Sequence, residues 1–490
     1  MDVWLERNSR GILAVALLIG AGLRWFRIGA SGFWYDEAFS GLIARLSPVQ
    51  ILDNAALSVH PPGYYLLLHF WLPLGQSETA IRSLSALFSL GAIPLVYGLG
   101  RRLFGPSVAA LAALGMALFP FQVYFAQEAR MYGLLIFLAA ALMWIFFEFV
   151  SSKGGWLSWI GYTLLATLGL YVHYFTVFLL LGLHLWFVLD LRRNRGVVLR
   201  LLLADGVILL LFLPQIGRAL TLTKMYLGGL AWQSSPSILS PVTTIYYLLF
   251  AHRTPVWLVP IGLFLVLAIL VLTLWESRSR ENPELHLERA LWFCLLIPIA
   301  VVMIISWLIR PIYLERSFAF TTPALVLLLA RGAIAAPRQS PTRYLIALLT
   351  VPIVITLAAH VITPDPAKPP TREAIRALEA GVDPGDVSLH LQDASFMPGV
   401  WYAPDVPQLL IDVPDALFIG VPTHRLFGGD VVSAQSALAG PGRLWLIVMP
   451  GYNSSEQVAV REMIDARYVR LAMEDWGAVQ LYLYDLSGSE

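Results

Sequence analysis

Residues 256–275 read VWLVPIGLFLVLAILVLTLW, twenty consecutive residues that include no charged side chain. An α-helix of about twenty apolar residues is long enough to cross the hydrocarbon core of a bilayer. Similar apolar runs recur through the first 362 residues, and charged residues become frequent only after them. The sequence therefore predicts a polytopic, all-α membrane bundle followed by a more polar segment.

The composition agrees with this class of protein. Of the 490 residues, 58% are hydrophobic and 13% are charged, and the mean hydropathy is +0.70; a soluble domain carries about a quarter charged residues. A formal net charge of +1 argues against the basic surface of a nucleic-acid-binding protein. The single cysteine, Cys294, lies inside an apolar run and can form neither an intramolecular disulfide nor a thiolate metal cluster.

The apolar runs predict about eleven membrane spans, whose ends such patterns place only to within a few residues. The first run ends near Arg24 and Arg27 and lacks a small-residue cleavage site, so we interpret it as a retained span rather than a signal peptide. The predicted spans are residues 11–29, 80–100, 107–124, 131–150, 157–173, 174–191, 197–214, 256–275, 290–309, 317–335 and 343–362.

The loops between these spans alternate in their content of cations, which sets the predicted orientation. Lys and Arg concentrate in the cytoplasmic loops of membrane proteins, and every second loop here is rich in them when the N-terminus is cytoplasmic. An odd number of spans then places the C-terminal segment outside. We therefore predict a multi-pass protein of the plasma (inner) membrane, whose cytoplasmic cations are Arg7, Arg10, Arg101, Arg102, Lys153, Arg192, Arg193, Arg195, Arg278, Arg280, Arg331, Arg338 and Arg343.

Two segments are longer than these loops. Residues 30–79 form the first extracytoplasmic loop, in which Tyr64 to Leu74 suits an amphipathic helix along the membrane surface. After a transmembrane domain over residues 1–362, residues 363–490 begin with a proline-rich linker and read as a small extracytoplasmic α/β domain. There we predict a helix over Thr371–Ala380 with Thr371 as its N-cap. The predicted strands are Leu444–Met449 and Val479–Leu483.

Two adjacent carboxylates, Asp36 and Glu37, open the first loop directly behind the aromatic residues Phe33, Trp34 and Tyr35. Charged groups at a membrane surface are costly to desolvate unless a cationic or protic group uses them. One hypothesis is that Asp36, with Glu37 beside it, acts as the general base on an acceptor hydroxyl or amine. The alternative is a belt of interfacial aromatic residues next to two solvated acids.

The same loop later reads His60-Pro61-Pro62-Gly63-Tyr64-Tyr65. Its two prolines exclude a helix through His60 and fix the backbone, so the turn aims the imidazole and Tyr64 begins the next helix. A histidine held in this way can bind a phosphate or share a proton with the carboxylates. A turn that only begins an interfacial helix is the alternative.

Further polar residues fall on the predicted extracytoplasmic side. Glu128, Arg130 and Tyr132 stand where the fourth span begins, and an ion pair there must be buried against protein or water. Each such residue alone could be a paired or snorkelling surface residue. Together they predict a site where an anionic lipid headgroup meets a second substrate, since arginine binds phosphate through two parallel charge-assisted bonds. The other members are His173, Tyr174, Lys224, Tyr226, His252, Arg253, Arg310, Tyr313, Glu315 and Arg316.

In this order the motifs resemble those of the GT-C glycosyltransferases, and most closely the group of protein O-mannosyltransferases and aminoarabinose transferases. The resemblance rests on WYDE after the first span, HPPGYY later in the same loop, Glu78 and Arg82 at the second span, and QEARMY after the third. It covers residues 10–180 well and the rest only in general plan. Val59-His60 stands where aminoarabinose transferases prefer Glu-Lys, which argues against lipid A as the acceptor.

The resemblance implies an inverting glycosyltransferase that takes a sugar from a polyprenyl-phosphate donor and transfers it to an acceptor on the extracytoplasmic face. The acceptor would be a glycolipid, a polysaccharide or a protein. The resemblance also implies Asp36, with Glu37, as the catalytic carboxylate. Donor-phosphate or lipid ligands would be His60, Tyr64, Arg316 and Lys224, and residues that bind substrate or support the site would be Tyr35, Arg82, Glu128, Arg130, Tyr132 and His173.

No cluster of His, Cys and Asp with ligand spacing occurs in the sequence, so we predict no cofactor and no metal, although a divalent ion is compatible with the reaction. An alternative function is a polyprenyl-lipid flippase or another multi-span transporter. Transporters tend to carry ionisable groups near mid-membrane and to divide into similar halves, which the eleven predicted spans do not. A third hypothesis is a membrane anchor whose C-terminal domain performs the chemistry.

Overall fold

The computed structural model describes residues 2–54, 58, 60–151, 154–189, 191, 195–227, 234–278, 285–337, 340–363, 365–412, 421–439, 442–452 and 454–487. Of these, the side chains of residues 2, 54, 219, 221–227, 276–278, 421–423 and 452 lie outside the description. The predicted donor ligand Lys224 belongs to this group, so its side chain lies outside the described residues.

The first part of the chain is helical almost throughout. Its helices are α1 (Asp2–Trp25), α2 (Tyr35–Arg45), α3 (Pro48–Asn54), α4 (Gly63–Trp71), α5 (Glu78–Phe104), α6 (Pro106–Leu118), α7 (Pro120–Ala126), α8 (Tyr132–Ser151), α9 (Trp156–Val172), α10 (Thr176–Leu189), α11 (Val198–Leu227), α12 (Ser240–Phe250), α13 (Val259–Arg278), α14 (Leu285–Leu308), α15 (Thr322–Ala335) and α16 (Pro341–Ile362). A 3-10 helix, Glu315–Thr321, leads into α15, and another, Leu72–Leu74, continues α4. Helix α4 with this extension matches the helix predicted over Tyr64 to Leu74.

Among the described residues, seven of these helices are long and apolar enough to cross a membrane, and the bent pair α6–α7 raises the number to eight. Helices α9 and α10 are apolar but have only 17 and 14 residues. With the 24-residue α1, a helix occupies each of the eleven predicted spans. The predicted fold class, a helical membrane bundle with a small α/β domain, is confirmed.

The third predicted span is broken rather than continuous, because α6 and α7 meet at an angle of 53°. Pro120 cannot donate a backbone hydrogen bond, which frees the carbonyl of Met116 four residues earlier. The fully buried guanidinium of Arg24 donates to that carbonyl at 2.8 Å and to the carbonyl of Ala117 at 3.3 Å. An arginine of α1 therefore caps the end of α6 and stabilises the bend.

The chain divides into two compact units. Unit 1 comprises Met1–Arg27, Ser58–Tyr64 and Arg82–Thr363, and unit 2 comprises Ile28–Leu57, Tyr65–Ile81 and Pro364–Glu490. Unit 2 thus combines most of the first long loop with the C-terminal segment.

Unit 2 contains a six-stranded sheet in the order β3-β2-β1-β4-β6-β5. Strands β1 to β4 pair in parallel, whereas β6 runs antiparallel to both β4 and β5. The strands are β1 (Val387–His390), β2 (Gln408–Ile411), β3 (Asp430–Val432), β4 (Arg443–Val448), β5 (Val469–Asp475) and β6 (Gln480–Asp485); the helices are α17 (Thr371–Gly381), α18 (Asp393–Tyr402), α19 (Val421–Leu426), α20 (Ala434–Ala437) and α21 (Ser455–Arg467).

The predicted helix and both predicted strands of this domain are confirmed as α17, β4 and β6, to within two residues at each end. The prediction that Thr371 is the N-cap of α17 is wrong. Pro370 precedes the helix without a side-chain cap, and Thr371 is its first residue. The hydroxyl of Thr371 donates instead to the carbonyl of Phe33 at 3.2 Å, so it joins the domain to the first loop.

Candidate active site

The paired carboxylates lie in the first turn of α2, in unit 2. Acidic side chains are favourable there because the unpaired N–H groups of a helix start carry partial positive charge. Glu37 is fully buried, whereas Asp36 is partly exposed. Tyr35 stacks on Phe39 one turn later, with ring centroids 6.1 Å apart. The helix therefore presents its two acids to different surroundings.

The charge of Glu37 has a partner in the proline-rich linker. Lys368 Nζ lies 3.6 Å from Glu37 Oε2, and the lysine side chain is only 6% exposed. Asp365 shapes the linker, because its carbonyl accepts from the N–H of Lys368 at 3.0 Å and its Oδ1 accepts from the N–H of Ala367 at 3.1 Å. A buried carboxylate is tolerated when a cation compensates it, so this pair explains how Glu37 can be buried.

Arg372 and Tyr402 connect both ends of the first loop within unit 2. The guanidinium of Arg372 donates to Glu78 Oε1 at 3.0 Å and to the carbonyl of Ala30 at 2.8 Å. The hydroxyl of Tyr402 accepts from the N–H of Phe33 at 2.7 Å and donates to Glu78 Oε1 at 2.8 Å. Residues at the start and at the end of the first loop are therefore linked through hydrogen bonds to the Glu78 carboxylate.

Helix α2 also packs closely against α18. A Cβ atom on Gly41 would lie 2.7 Å from the ring of Trp401, so this position accepts no larger residue without movement. The guanidinium of Arg45 lies 3.6 Å from the centroid of the same ring, in a cation–π contact. The C-terminal segment therefore forms part of the support of the helix that carries the acids.

Unit 1 contains a second polar group of residues, which we name the His/Arg cluster: His60, Arg130, His173 and Arg316. The rings of His60 and His173 have centroids 5.2 Å apart. Desolvation, followed by the charges of Arg130 and Arg316, lowers the pKa of His173 to about 3. Desolvation and the same arginines, with His173, lower the pKa of His60 well below its ordinary value. Both imidazoles are therefore neutral at neutral pH.

The tautomer of His173 follows from its surroundings. Its Nδ1 accepts a hydrogen bond from the N–H of Phe175 at 3.2 Å, so a neutral ring carries its proton on Nε2. This buried Nε2 has no hydrogen-bond partner among the described residues. A buried donor without a partner is costly, and an anionic or carbonyl oxygen would satisfy it.

The residues of the QEARMY segment, residues 127–132, have different surroundings in the structure. Gln127 caps α1, because its Nε2 donates to the carbonyls of Leu23 and Phe26 and its Oε1 accepts from His360. Glu128 and Arg130 are each 2% exposed and Tyr132 is fully buried. Burial raises the pKa of Tyr247 on α12 and the charge of Arg316 opposes this shift, which indicates that Tyr247 lies close to the cluster.

The two other predicted residues of unit 1, Tyr64 and Arg82, are buried. The hydroxyl of Tyr64 is fully buried and lies 3.1 Å from Ser85 Oγ, which donates to the carbonyl of Arg130 at 2.9 Å. Arg82 is 1% exposed on α5. Thus His60, Arg130, His173 and Arg316 come together in unit 1, while Tyr35, Asp36 and Glu37 share α2 in unit 2.

Sequence reasoning missed Lys368, Arg372 and Tyr402 as partners of the first loop. The proximity of Lys368 and Arg372 to the loop could have been suspected only from their position near the end of the linker, where one cation precedes Pro369-Pro370 and the other follows them. Among the described residues, no group of three or more His, Cys, Asp or Glu side chains could hold a metal ion.

Comparison with known proteins gives three findings. Residues 59–217 match the family model described as dolichyl-phosphate-mannose-protein mannosyltransferase. No curated protein sequence matches the chain. Among solved structures, ArnT from Cupriavidus metallidurans in the apo state is similar at 14% identity, with a TM-score of 0.62 and 98% of each chain covered.

Two further structures agree with this similarity. ArnT from the same organism bound to undecaprenyl phosphate gives a TM-score of 0.61 at 14% identity, again with 98% of each chain covered. Archaeal AglB from Archaeoglobus fulgidus, an oligosaccharyltransferase in complex with an inhibitory peptide and a dolichol-phosphate, gives a TM-score of 0.53 at 11% identity, covering 97% of this chain and 74% of AglB. The resemblance that the motifs indicate is therefore confirmed, and the chain is a multi-span membrane protein with the fold of the GT-C glycosyltransferases.

Proposed function

We propose that this protein is an inverting glycosyltransferase that transfers a sugar from a polyprenyl-phosphate donor to an acceptor on the extracytoplasmic side of the membrane. The observation that carries the proposal is the His/Arg cluster of unit 1, in which the rings of His60 and His173 lie 5.2 Å apart and His173 has a buried Nε2 beside the charges of Arg130 and Arg316. The GT-C fold and the similarity to a structure that contains undecaprenyl phosphate support the same class of donor.

The cluster has the chemistry that a donor phosphate requires. Guanidinium groups bind phosphate oxygens through parallel charge-assisted bonds. His173 contributes a neutral N–H donor at Nε2, which has no other partner among the described residues. When the sugar leaves, the polyprenyl phosphate gains negative charge, and fixed donors in a site of low dielectric stabilise it without reorganising. In this proposal His60, Arg130, His173 and Arg316 bind the leaving group.

Asp36 takes the role of general base in unit 2. The acceptor hydroxyl or amine attacks the anomeric carbon on the face opposite the phosphate, and the bond between that carbon and the phosphate oxygen breaks. Asp36 receives the acceptor proton, and the configuration at the anomeric carbon inverts. Asp36 is partly exposed as a residue, which suits a base that must reach its substrate, although its Oδ2 is buried. The acceptor is a glycolipid, a polysaccharide or a protein.

The orientation of the chain is part of the proposal. The distribution of cations favours a cytoplasmic N-terminus and an extracytoplasmic C-terminal segment. Alkaline phosphatase, which is active only outside the cytoplasm, should be active when fused after Asp485 and inactive when fused after Arg195. The reverse pattern would contradict the orientation.

The donor assignment is tested with membranes of a strain that lacks the gene and expresses the protein from a plasmid. We expect incorporation of radiolabelled sugar from a panel of undecaprenyl-phosphate hexoses and pentoses, and none from the corresponding nucleotide sugars. Transfer from a nucleotide sugar by the purified protein in lipid-free detergent would contradict the proposal. Mass spectrometry of surface glycans and glycolipids in the deletion strain would identify the sugar and the acceptor.

A further inference from the structure

The two acids of α2 are neighbours in the sequence, yet they occupy different environments. The side chain of Glu37 is fully buried, whereas Asp36 is partly exposed. A carboxylate inside a protein keeps its charge only where a cation or several hydrogen bonds compensate it. For Glu37 that cation is Lys368, with Nζ 3.6 Å from Oε2 and a side chain that is 6% exposed.

The segment that carries Lys368 is bonded to the segment that leads into α2. The turn at Asp365 accepts the N–H of Lys368 at 3.0 Å. Three residues after the lysine, the hydroxyl of Thr371 donates to the carbonyl of Phe33 at 3.2 Å. The backbone around Lys368 is therefore held on both sides, so the buried side chain reaches Glu37 from a fixed point of the chain.

We propose that Lys368 is a positioning residue for sugar transfer: it neutralises Glu37 inside unit 2, fixes the first turn of α2 and leaves Asp36 as the carboxylate that accepts the proton. This inference rests on the proposed function and deepens it. It gives the two adjacent acids different roles. Glu37 positions the first turn of α2, and Asp36 accepts the proton of the substrate.

Loss of the lysine charge has a defined consequence. Without Lys368 the buried Glu37 loses the positive charge that lies 3.6 Å from Oε2, which favours uptake of a proton or rotation of the side chain. Either change displaces the first turn of α2, and a displacement of about 1 Å in a reacting group can lower a rate by about 100-fold. The pair does not bind the donor phosphate in this proposal, so the apparent affinity for the donor should change little.

The experiment compares Lys368→Met, Lys368→Arg, Glu37→Gln and the double variant Lys368→Met/Glu37→Gln. Initial rates are measured with the most active undecaprenyl-phosphate sugar, at saturating and at limiting donor, with expression matched by immunoblot. We expect Lys368→Met to lower kcat by at least about 10-fold with the KM for the donor within about 3-fold. Lys368→Arg should keep most of the activity, because it preserves the charge. The double variant should be more active than Lys368→Met, because the Glu37 charge that Lys368 compensates is then absent as well.

A matched control separates positioning from general stability. Arg443 forms an ion pair with Asp386 elsewhere in unit 2, at 2.7 Å. Arg443→Met should lower the melting temperature while kcat per folded molecule stays unchanged. If Lys368→Met behaves in the same way, or if the double variant shows purely additive losses, the inference is overturned.

Failure of the inference and failure of the proposed function give different results. If the wild-type protein transfers sugar from undecaprenyl phosphate and Lys368→Met retains the wild-type kcat, only the inference fails. If the wild-type protein transfers sugar from none of the undecaprenyl-phosphate donors, the proposed function fails and the positioning role fails with it.

Discussion

The two units of this protein bury charge in different ways. In unit 1 the His/Arg cluster gathers two arginines around two imidazoles that stay neutral. In unit 2 one lysine compensates one buried carboxylate, and a second carboxylate beside it stays partly exposed. The first arrangement suits an anion that arrives with the donor, and the second suits a base that meets an acceptor. In the proposed function, donor binding therefore belongs to unit 1 and proton transfer to unit 2.

The strongest test of this comparison is to remove Asp36, the partly exposed acid of α2 in unit 2. Asp36→Asn preserves the shape of the side chain but removes the base, so transfer should fall by at least about 100-fold, the lower end of what a positioned base contributes. Expression and melting temperature should stay close to those of the wild-type protein. Asp53→Asn, on the exposed part of α3, is the control and should retain activity. Near-normal turnover by Asp36→Asn would remove Asp36 from the mechanism.

The second test removes one cation of unit 1. Arg316→Gln should raise the KM for the undecaprenyl-phosphate donor by about 10-fold or more, because a charge-assisted bond to phosphate contributes about 1.5–3 kcal/mol. Arg289→Gln serves as the control, since Arg289 is exposed on α14. If both variants have the same KM for the donor, the His/Arg cluster does not bind the phosphate and the contrast between the units is lost.

The smallest expected effect is a change of stability with pH. The pKa of His173 is lowered to about 3 in the folded protein, whereas an unfolded histidine titrates near 6.5. The neutral ring therefore contributes stability above pH 6.5, and this contribution decreases as the pH falls toward 3, by at most about 1.4 kcal/mol of unfolding free energy per pH unit. Melting temperatures in detergent should drop between pH 7.5 and pH 5.

Substitution of His173 tests whether this histidine causes the change of melting temperature with pH. His173→Gln should show a smaller difference between the two melting temperatures than the wild-type protein. An unchanged difference in His173→Gln would mean that the lowered pKa of His173 has no effect on stability.

The sequence predicts the helical part of the fold well because a bilayer requires long apolar helices, and such runs are visible in any single sequence. It does not predict the break at Pro120, because the apolar pattern continues through it and the compensating donor, Arg24, comes from another helix. Strands β1 to β3 have four residues or fewer, and segments that short have no periodicity to recognise.

The site could be predicted only in part, for a similar reason. Residue type and order point to Asp36, His60, Arg130 and Arg316, but not to the partner of Glu37. Lys368 lies far from α2 in the sequence, and no local pattern encodes a contact between such distant residues. Gln127 belongs to a recognised motif, but it caps α1 and does not join the His/Arg cluster. Membership of a motif therefore does not by itself place a residue in the site.

The discontinuity of unit 2 has a consequence for the synthesis of the protein. Ile28–Leu57 leaves the ribosome long before Pro364–Glu490, and at typical translation rates of about 5–20 residues per second the delay lasts tens of seconds. During this interval Glu37 has no Lys368 and Phe33 has no Tyr402. The loop can therefore complete its folding only after the helices between these segments have been inserted, so a ribosome that stalls before Lys368 would leave membrane helices whose first long loop is still immature.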